Sequence, residues 1–256
     1  MANLDFGTRG ALLPVSPATD GRIARQDGRP QRTPPLMRKY EVASLLPDLS
    51  IRRTHHVAPA TSLFTATSSA FAHGALINTV AGPVPVEDLL PGDYLDVQDA
   101  DPAAILWIGS TLLAPNMPEV DGALSRLVRI MPDTFGLARP MHNLLLGPGA
   151  RVLQPQQGGG GSVLVDIRGR VDGTSVIEVT PPSPVRLYHI ATRRHAIIEA
   201  DGIAVETYHP GRNTTDRLGF NTRSLYLSMF PHIRELSDFG PLIYPRTDAE
   251  DDLDAA

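Results

Sequence analysis

Residues 68–93 read SSAFAHGALINTVAGPVPVEDLLPGD. A patch of small residues (Ser68, Ser69, Ala70) leads into an apolar strand pattern, and Gly82-Pro83 then turns the chain. The layout is that of a first strand opening a domain, with Ser69, Ala70 or His73 at the place where a functional side chain would stand.

Downstream, strand signals recur at short and fairly regular intervals: YLDVQ, AAILWIGSTLL, SRLVRIMP, HNLLLGPGARVL, SVLVDIRG, TSVIEVT, VRLYHIA and HAIIEADGIAVETY. β-branched residues recur within them and Gly-Pro, Pro-Gly, Asp-Gly and Pro-Pro separate them, which together describe an all-β domain. QPQQGGGGS, residues 154–162, reads as a flexible surface loop, since a glycine run has a high ordering entropy. Upstream, KYEVASLL and SIRRTHHV flank Pro47-Asp48 and read as a β-hairpin. An extended Ala/Thr/Ser-rich connection is expected over residues 58–69.

Residues 1–36 are rich in Gly and Pro without an apolar period and are expected to be a disordered leader. Near the other end, NTRSLYLSMFPHIREL spaces Leu225, Tyr226, Met229, Phe230 and Ile233 as one face of a helix. Thr222 is its expected cap and Pro231 its expected break. DAEDDLDAA has nothing to bury and reads as part of a disordered acidic tail over residues 246–256. The organisation is therefore a leader (1–36), a hairpin and connection (37–68), an all-β domain (69–211), a helical extension (212–245) and the tail.

At 256 residues and 42% apolar the chain has enough material for a core. A net charge of -5 and a pI near 5.9 argue against nucleic acid as a partner, because binding by counterion release needs a basic surface. Arg52-Arg53 and Arg193-Arg194 read as solvated charges. With no cysteine there is no disulfide, thiolate nucleophile or cysteine-ligated metal. No window reaches the length of apolar chain needed to span a bilayer, and the first residues lack the pattern of a signal peptide. No membrane partner is expected, and the cytoplasm is the default compartment.

Histidines are the most versatile groups left. His189 and His195 flank one expected turn, His209 follows a short strand, and His142 precedes the LLLGPG turn. No HxxxH or HExxH pair falls on an expected helix, so structural histidines are favoured over zinc and no metal is assigned. Ser69 with a distant His and Asp could be drawn as a triad, but no GxSxG elbow supports it. GPGA and GGGGS do not lead from a strand into a helix, so neither is a phosphate loop, and no cofactor is assigned.

The order of these pieces is more telling than any one of them. AFAHGALINTVAGPVPVEDLLPGDYLDV resembles the opening of the Hint family, the hedgehog/intein autoprocessing fold, in its bacterial form. Phe71, Gly74, Ile77, Thr79, Gly82, Val86, Glu87, Asp88, Leu89, Pro91, Gly92 and Asp93 match that family's pattern, with Ala70 where its cysteine belongs. The likeness continues in ILWIGS, in NLLLGPGARVL and in residues 185–211, and so covers residues 69–211.

The resemblance implies a compact pseudo-symmetric β fold whose two core ends lie close together, extended by an N-terminal hairpin and a short C-terminal helix. The hairpin is expected to pack on the helix near Leu225 to Phe230. In the family the first-strand cysteine attacks the preceding carbonyl, and a Thr/Ser-x-x-His element polarises that bond and protonates the leaving amine. Here the element aligns with Gly147, Pro148, Gly149 and Ala150, so hydroxyl and imidazole are both absent. The terminal His-Asn pair of inteins aligns with Val205, Glu206 and Thr207, and is missing too. His195 matches a family histidine but has no nucleophile to serve. Ala70, Gly147 and Ala150 thus mark a degenerate site, and no catalytic residue is assigned.

Three readings compete; one, that the alanines were introduced to trap a precursor, fits the glycine at Gly147 and the alanine at Ala150 poorly, and two remain. In the first, the domain is a silent β scaffold that binds a protein partner. In the second, Ser69 carries out an N-to-O acyl shift with His73 or His142 as acid, giving intramolecular autoproteolysis at the Ser69/Ala70 junction. The second needs a one-residue register change, which in a strand turns the side chain to the opposite face.

Overall fold

The computed structural model describes residues 36–114, 122–156, 159–211 and 218–247. The expected leader lies outside them apart from Leu36, as do residues 248–256 of the expected tail. The strands are β1 (Met37–Leu45), β2 (Ile51–Pro59), β3 (Phe71–Ala72), β4 (Leu76–Thr79), β5 (Gly82–Pro85), β6 (Tyr94–Leu95), β7 (Ala103–Leu113) and β8 (Leu127–Ile130). They continue with β9 (Leu144–Leu146), β10 (Arg151–Pro155), β11 (Ser162–Asp166), β12 (Val176–Val179), β13 (Val185–Thr192), β14 (Ile197–Ala200) and β15 (Ile203–Glu206). Helices α1 (Ser62–Ala66) and α2 (Phe220–Ser228) complete the set. The fold is all-β, and no helix among the described residues is long and apolar enough to cross a membrane.

β7 organises the sheet. Its first residues pair with β6, its middle pairs with β1 on the hairpin side, and Ile105 to Leu113 run antiparallel to β13. The register with β13 shifts between Ala191 and Thr192, a bulge of the kind that bends a strand and increases its twist. β13 also holds β3, and β3 leads through β9 and β8 to β12. On the other side, β4 connects β6 to β14, β15, β10 and β11.

Both ends of the central body meet on β13. The Ala70 N–H donates to the Tyr188 carbonyl at 2.8 Å, and the Tyr208 N–H to the Ile190 carbonyl at 2.7 Å. First strand and last strand therefore end two residues apart on one template.

The main core gathers Ala70, Phe71, Ile77, Leu146, Ala150 and Ile190 among others. A second core joins the hairpin to the helices through Tyr40, Phe64, Trp107, Tyr226 and Phe230. Alternation in β1 turns Tyr40 and Val42 inward, as a half-buried strand requires. α2 lies over them, and Phe230 stacks on Trp107 with ring centroids 4.7 Å apart. The Trp107 indole N–H donates to the Met229 carbonyl at 2.7 Å, which satisfies its one polar atom in the core. The hairpin thus packs on the C-terminal helix.

Three local expectations change. The connection after β2 is not extended throughout, because α1 forms and buries Phe64 against Tyr40 and Tyr226. α2 begins earlier than Thr222, with Gly219 at its N-cap and Met229 at its C-cap, two residues short of Pro231. Arg246, placed in the disordered tail by its acidic neighbours, is buried and bridges to Leu164 of β11.

Phe230→Ala should cost about 3–5 kcal/mol, the usual range for emptying a buried aromatic site. Trp107, the chain's only tryptophan, reports it directly in urea denaturation. Coincident fluorescence and far-UV transitions are expected, since the second core includes β7 itself.

Candidate functional site

α1 feeds directly into Ser68 and Ser69, and the Ser69–Ala70 peptide enters the sheet at β3. Three backbone groups grip it. The Gly149 N–H donates to the Ser69 carbonyl at 3.0 Å and the Gly147 N–H to the Ala70 carbonyl at 2.8 Å, while the Ala70 N–H is held by Tyr188. The 147–150 turn is closed by a bond from the Ala150 N–H to the Gly147 carbonyl at 3.1 Å.

This approach leaves no volume for side chains. A Cβ on Gly147 would stand 2.2 Å from the Ser69 carbonyl oxygen and 3.2 Å from Leu187 Cδ1. One on Gly149 would stand 2.8 Å from the Ala66 carbonyl oxygen and 2.9 Å from Ser69 Oγ. The first obstacle is backbone, so rotamer changes cannot relieve it. Ala70 and Ala150 are fully buried in the same apolar core.

Ser69 Oγ is buried and has no hydrogen-bond partner, so neither His73 nor His142 reaches it. His73 is solvent-exposed and pairs with Glu87 at 2.5 Å. Burial works against the Glu87 carboxylate, but the Gly74 N–H and His73 outweigh it and hold its pKa below the usual range. His142 is exposed as well. The structure does not bring Ser69, His73 and His142 together.

The imidazole beside this peptide is His189, which the sequence placed only at the edge of a turn. It lies within β13, its Nδ1–H donates to the Ala66 carbonyl at 2.9 Å, and its ring stands edge-on to Phe71 and Tyr208. Its Nε2 is buried without a partner. Desolvation pulls its pKa down to about 4, so the ring is neutral near pH 7.

His195 belongs to a different cluster. The Ile243 N–H donates to its Nδ1 at 3.2 Å, so Nε2 carries the proton and donates to Glu206 at 2.9 Å. Glu206 is almost wholly buried and accepts two bonds from Arg246 at 2.9 and 3.0 Å, with Arg151 at 3.5 Å. Burial alone would raise the Glu206 pKa, but the Arg246 charge and the His195 bond overcome it and bring it down to about 2. His209 accepts from the Gly211 N–H and donates to the Gly240 carbonyl, and desolvation holds its pKa near 4. Within this cluster His195, Glu206, His209 and Arg246 all have structural partners. Among the described residues no group of three or more metal-ligating side chains converges.

The chemistry available is thus half of an acyl-transfer site. The Gly149 N–H points at the Ser69 carbonyl oxygen, where an oxyanion donor belongs, yet residue 70 offers no nucleophile and no acid stands at the leaving nitrogen. The family model of the Hint domain matches residues 69–212, and the chain belongs to the Hint domain family. The solution structure of a bacterial intein-like domain from Clostridium thermocellum is similar at 12% identity and a TM-score of 0.38, covering 55% of this chain and 99% of that one. No curated protein matches the sequence.

Gly147→Thr should destabilise the fold at or beyond the upper end of the about 1–3 kcal/mol typical of overpacking, measured by urea denaturation. The buried histidines give a pH dependence. Both folded pKa values lie below the ordinary 6.5, so the folded chain binds fewer protons and stability, complete above pH 6.5, falls as pH drops toward 4. Each histidine should contribute a slope of up to about 1.4 kcal/mol per pH unit, and His209→Gln should remove one such share. Glu206 acts in a lower window, losing its contribution between 4.5 and about 2.

Proposed function

We propose that this Hint domain is silent toward its own backbone and serves as a β scaffold that binds a protein partner. The observation behind the reading is the 2.2 Å separation between a Cβ at Gly147 and the Ser69 carbonyl oxygen. A Cβ at position 147, which any hydroxyl side chain there would need, is incompatible with the backbone that binds the peptide, and Ala150 carries no imidazole. Loss of one catalytic group lowers a rate by some 10²-fold or more, and loss of nucleophile and acid together removes the route.

An N-to-O shift at Ser69 has less support. Its hydroxyl would need a base, and Ser69 Oγ has no partner of any kind. The turn lies directly against it, since a Cβ at Gly149 would stand 2.9 Å from this hydroxyl oxygen.

The test is intact mass spectrometry of the purified chain after incubation with a strong thiol or hydroxylamine. The 27.6 kDa species should persist. A fragment cut before Ser69 or Ala70 would overturn the silent reading and establish autoprocessing. The same result is expected for Ala70→Cys, because the nucleophile alone brings back no acid.

A further inference from the structure

β10 and β15 are neighbours joined by one bridge, Val152 to Val205. On their far sides both are fully paired, β10 with β11 and β15 with β14. Past that bridge they part, and a cleft of about 420 Å³ opens between Leu153 and Gln154 on one strand and Ile203 and Ala204 on the other. Phe135, Val152, Leu153 and Ile203 give it apolar surface, Gln154 adds a polar group, and the only charged groups among its lining residues are Arg139 and Arg170. Among the described residues neither guanidinium is paired with a carboxylate. In a chain of net charge -5, a cleft with two cations and no anion has a defined complement.

The loop that brings Arg139 to the cleft is built against its own conformational preference. Asp133 and Ala138 hold φ of 59° and 56°, the left-handed region that residues with a Cβ seldom occupy. The loop is fixed there by the Ala138 N–H to Asp133 Oδ1 bond at 2.6 Å, the Phe135 N–H to Arg139 carbonyl bond at 2.9 Å and the Arg139 Nε–H to Gly202 carbonyl bond at 3.0 Å. Its tip presents Leu137 at 92% exposure, with Met141 beside it at 63%. Backbone strain of this kind is held at sites that have work to do. Arg170 lies over the Phe135 ring at 5.9 Å, so one cation is aimed and the other is locked.

We propose that this cleft takes a short extended segment of a partner protein in which an acidic side chain alternates with apolar ones. The carboxylate sits between Arg139 and Arg170, apolar side chains lie against Phe135 and the strand residues, and the segment's backbone adds to the open edges of β10 and β15. The inference rests on the reading of the domain as a binding scaffold and gives that scaffold a site and a class of partner.

The test uses the full chain and a fluorescein-labelled hexapeptide of alternating valine and glutamate, read by anisotropy. It should bind on the order of tenfold or more tighter than its glutamine or lysine counterparts. Arg170→Gln, at an exposed position, and the Arg139→Gln/Arg170→Gln pair should each weaken it, the pair by a comparable factor. Trp107 fluorescence verifies that both variants are folded, and Arg53→Gln on β2 should bind as the parent does. Equal affinity for the three peptides, or binding that ignores the arginine substitutions, overturns the proposal. So does dimerisation through the cleft, or displacement of the probe by a peptide of residues 248–256 at lower concentration than by the unlabelled probe. Intact mass from the same sample separates the two readings. An uncleaved chain that ignores the probe loses this site and keeps its silent reading, whereas a cleaved chain that binds it does the reverse.

Discussion

The contact between the 147–150 turn and the Ser69–Ala70 peptide is the constraint on which the rest depends. Two N–H groups from the turn hold two successive carbonyls, and the distances admit glycine alone at the closest point. That contact seats β3 between β9 and β13, and β13 in turn seats the end of β15. Moving the turn outward to make room for a side chain at position 147 would loosen the bonds that hold the strand that starts the domain. In this chain the tight closure of the body and the glycine at position 147 are one fact.

The charged groups tell the same story from the other end of the body. Glu206 and His195 stand where the last strand finishes, and a buried carboxylate there is costly unless fully compensated. Arg246 supplies the compensation from 40 residues downstream, and His195 and His209 bond the backbone of the same segment at Ile243 and Gly240. The polar residues near the end of β15 are thus bound to the segment that follows α2. A histidine with both nitrogens engaged in this way has no lone pair left for chemistry.

The strand pattern was legible because period-two alternation and Gly/Pro punctuation are local properties. Residues 185–206 read correctly down to the turn at Arg193-Arg194 for that reason. α1 escaped because five residues cannot show a helical period, and its stability comes from Phe64 meeting Tyr40 and Tyr226 across the chain. Arg246 escaped because its composition is that of a tail, and only a partner distant in sequence makes it buried. The degenerate positions Ala70, Gly147 and Ala150 were legible as absences through the family resemblance. Why Gly147 has no alternative became visible only with the position of the Ser69 carbonyl. His189, which reads like any other histidine in a strand, had no local signal that its ring would lie under the Ala66–Ala70 segment.

Two orphan atoms, Ser69 Oγ and His189 Nε2, show what this geometry demands. Each unsatisfied buried polar atom costs about 1–3 kcal/mol, so a core chosen for stability alone would lack both. Position 69 must be small, because the turn lies against it and a Cβ at Gly149 would already stand 2.9 Å from Ser69 Oγ. Position 189 must be flat enough to lie edge-on between Phe71 and Tyr208 and must still donate to the Ala66 carbonyl. Phenylalanine meets the first demand and fails the second, and asparagine does the opposite. Histidine meets both, and its second nitrogen is left without a partner as a consequence of shape. Neither orphan atom therefore needs a catalytic purpose to explain it, since the packing around the Ser69–Ala70 peptide fixes both residues.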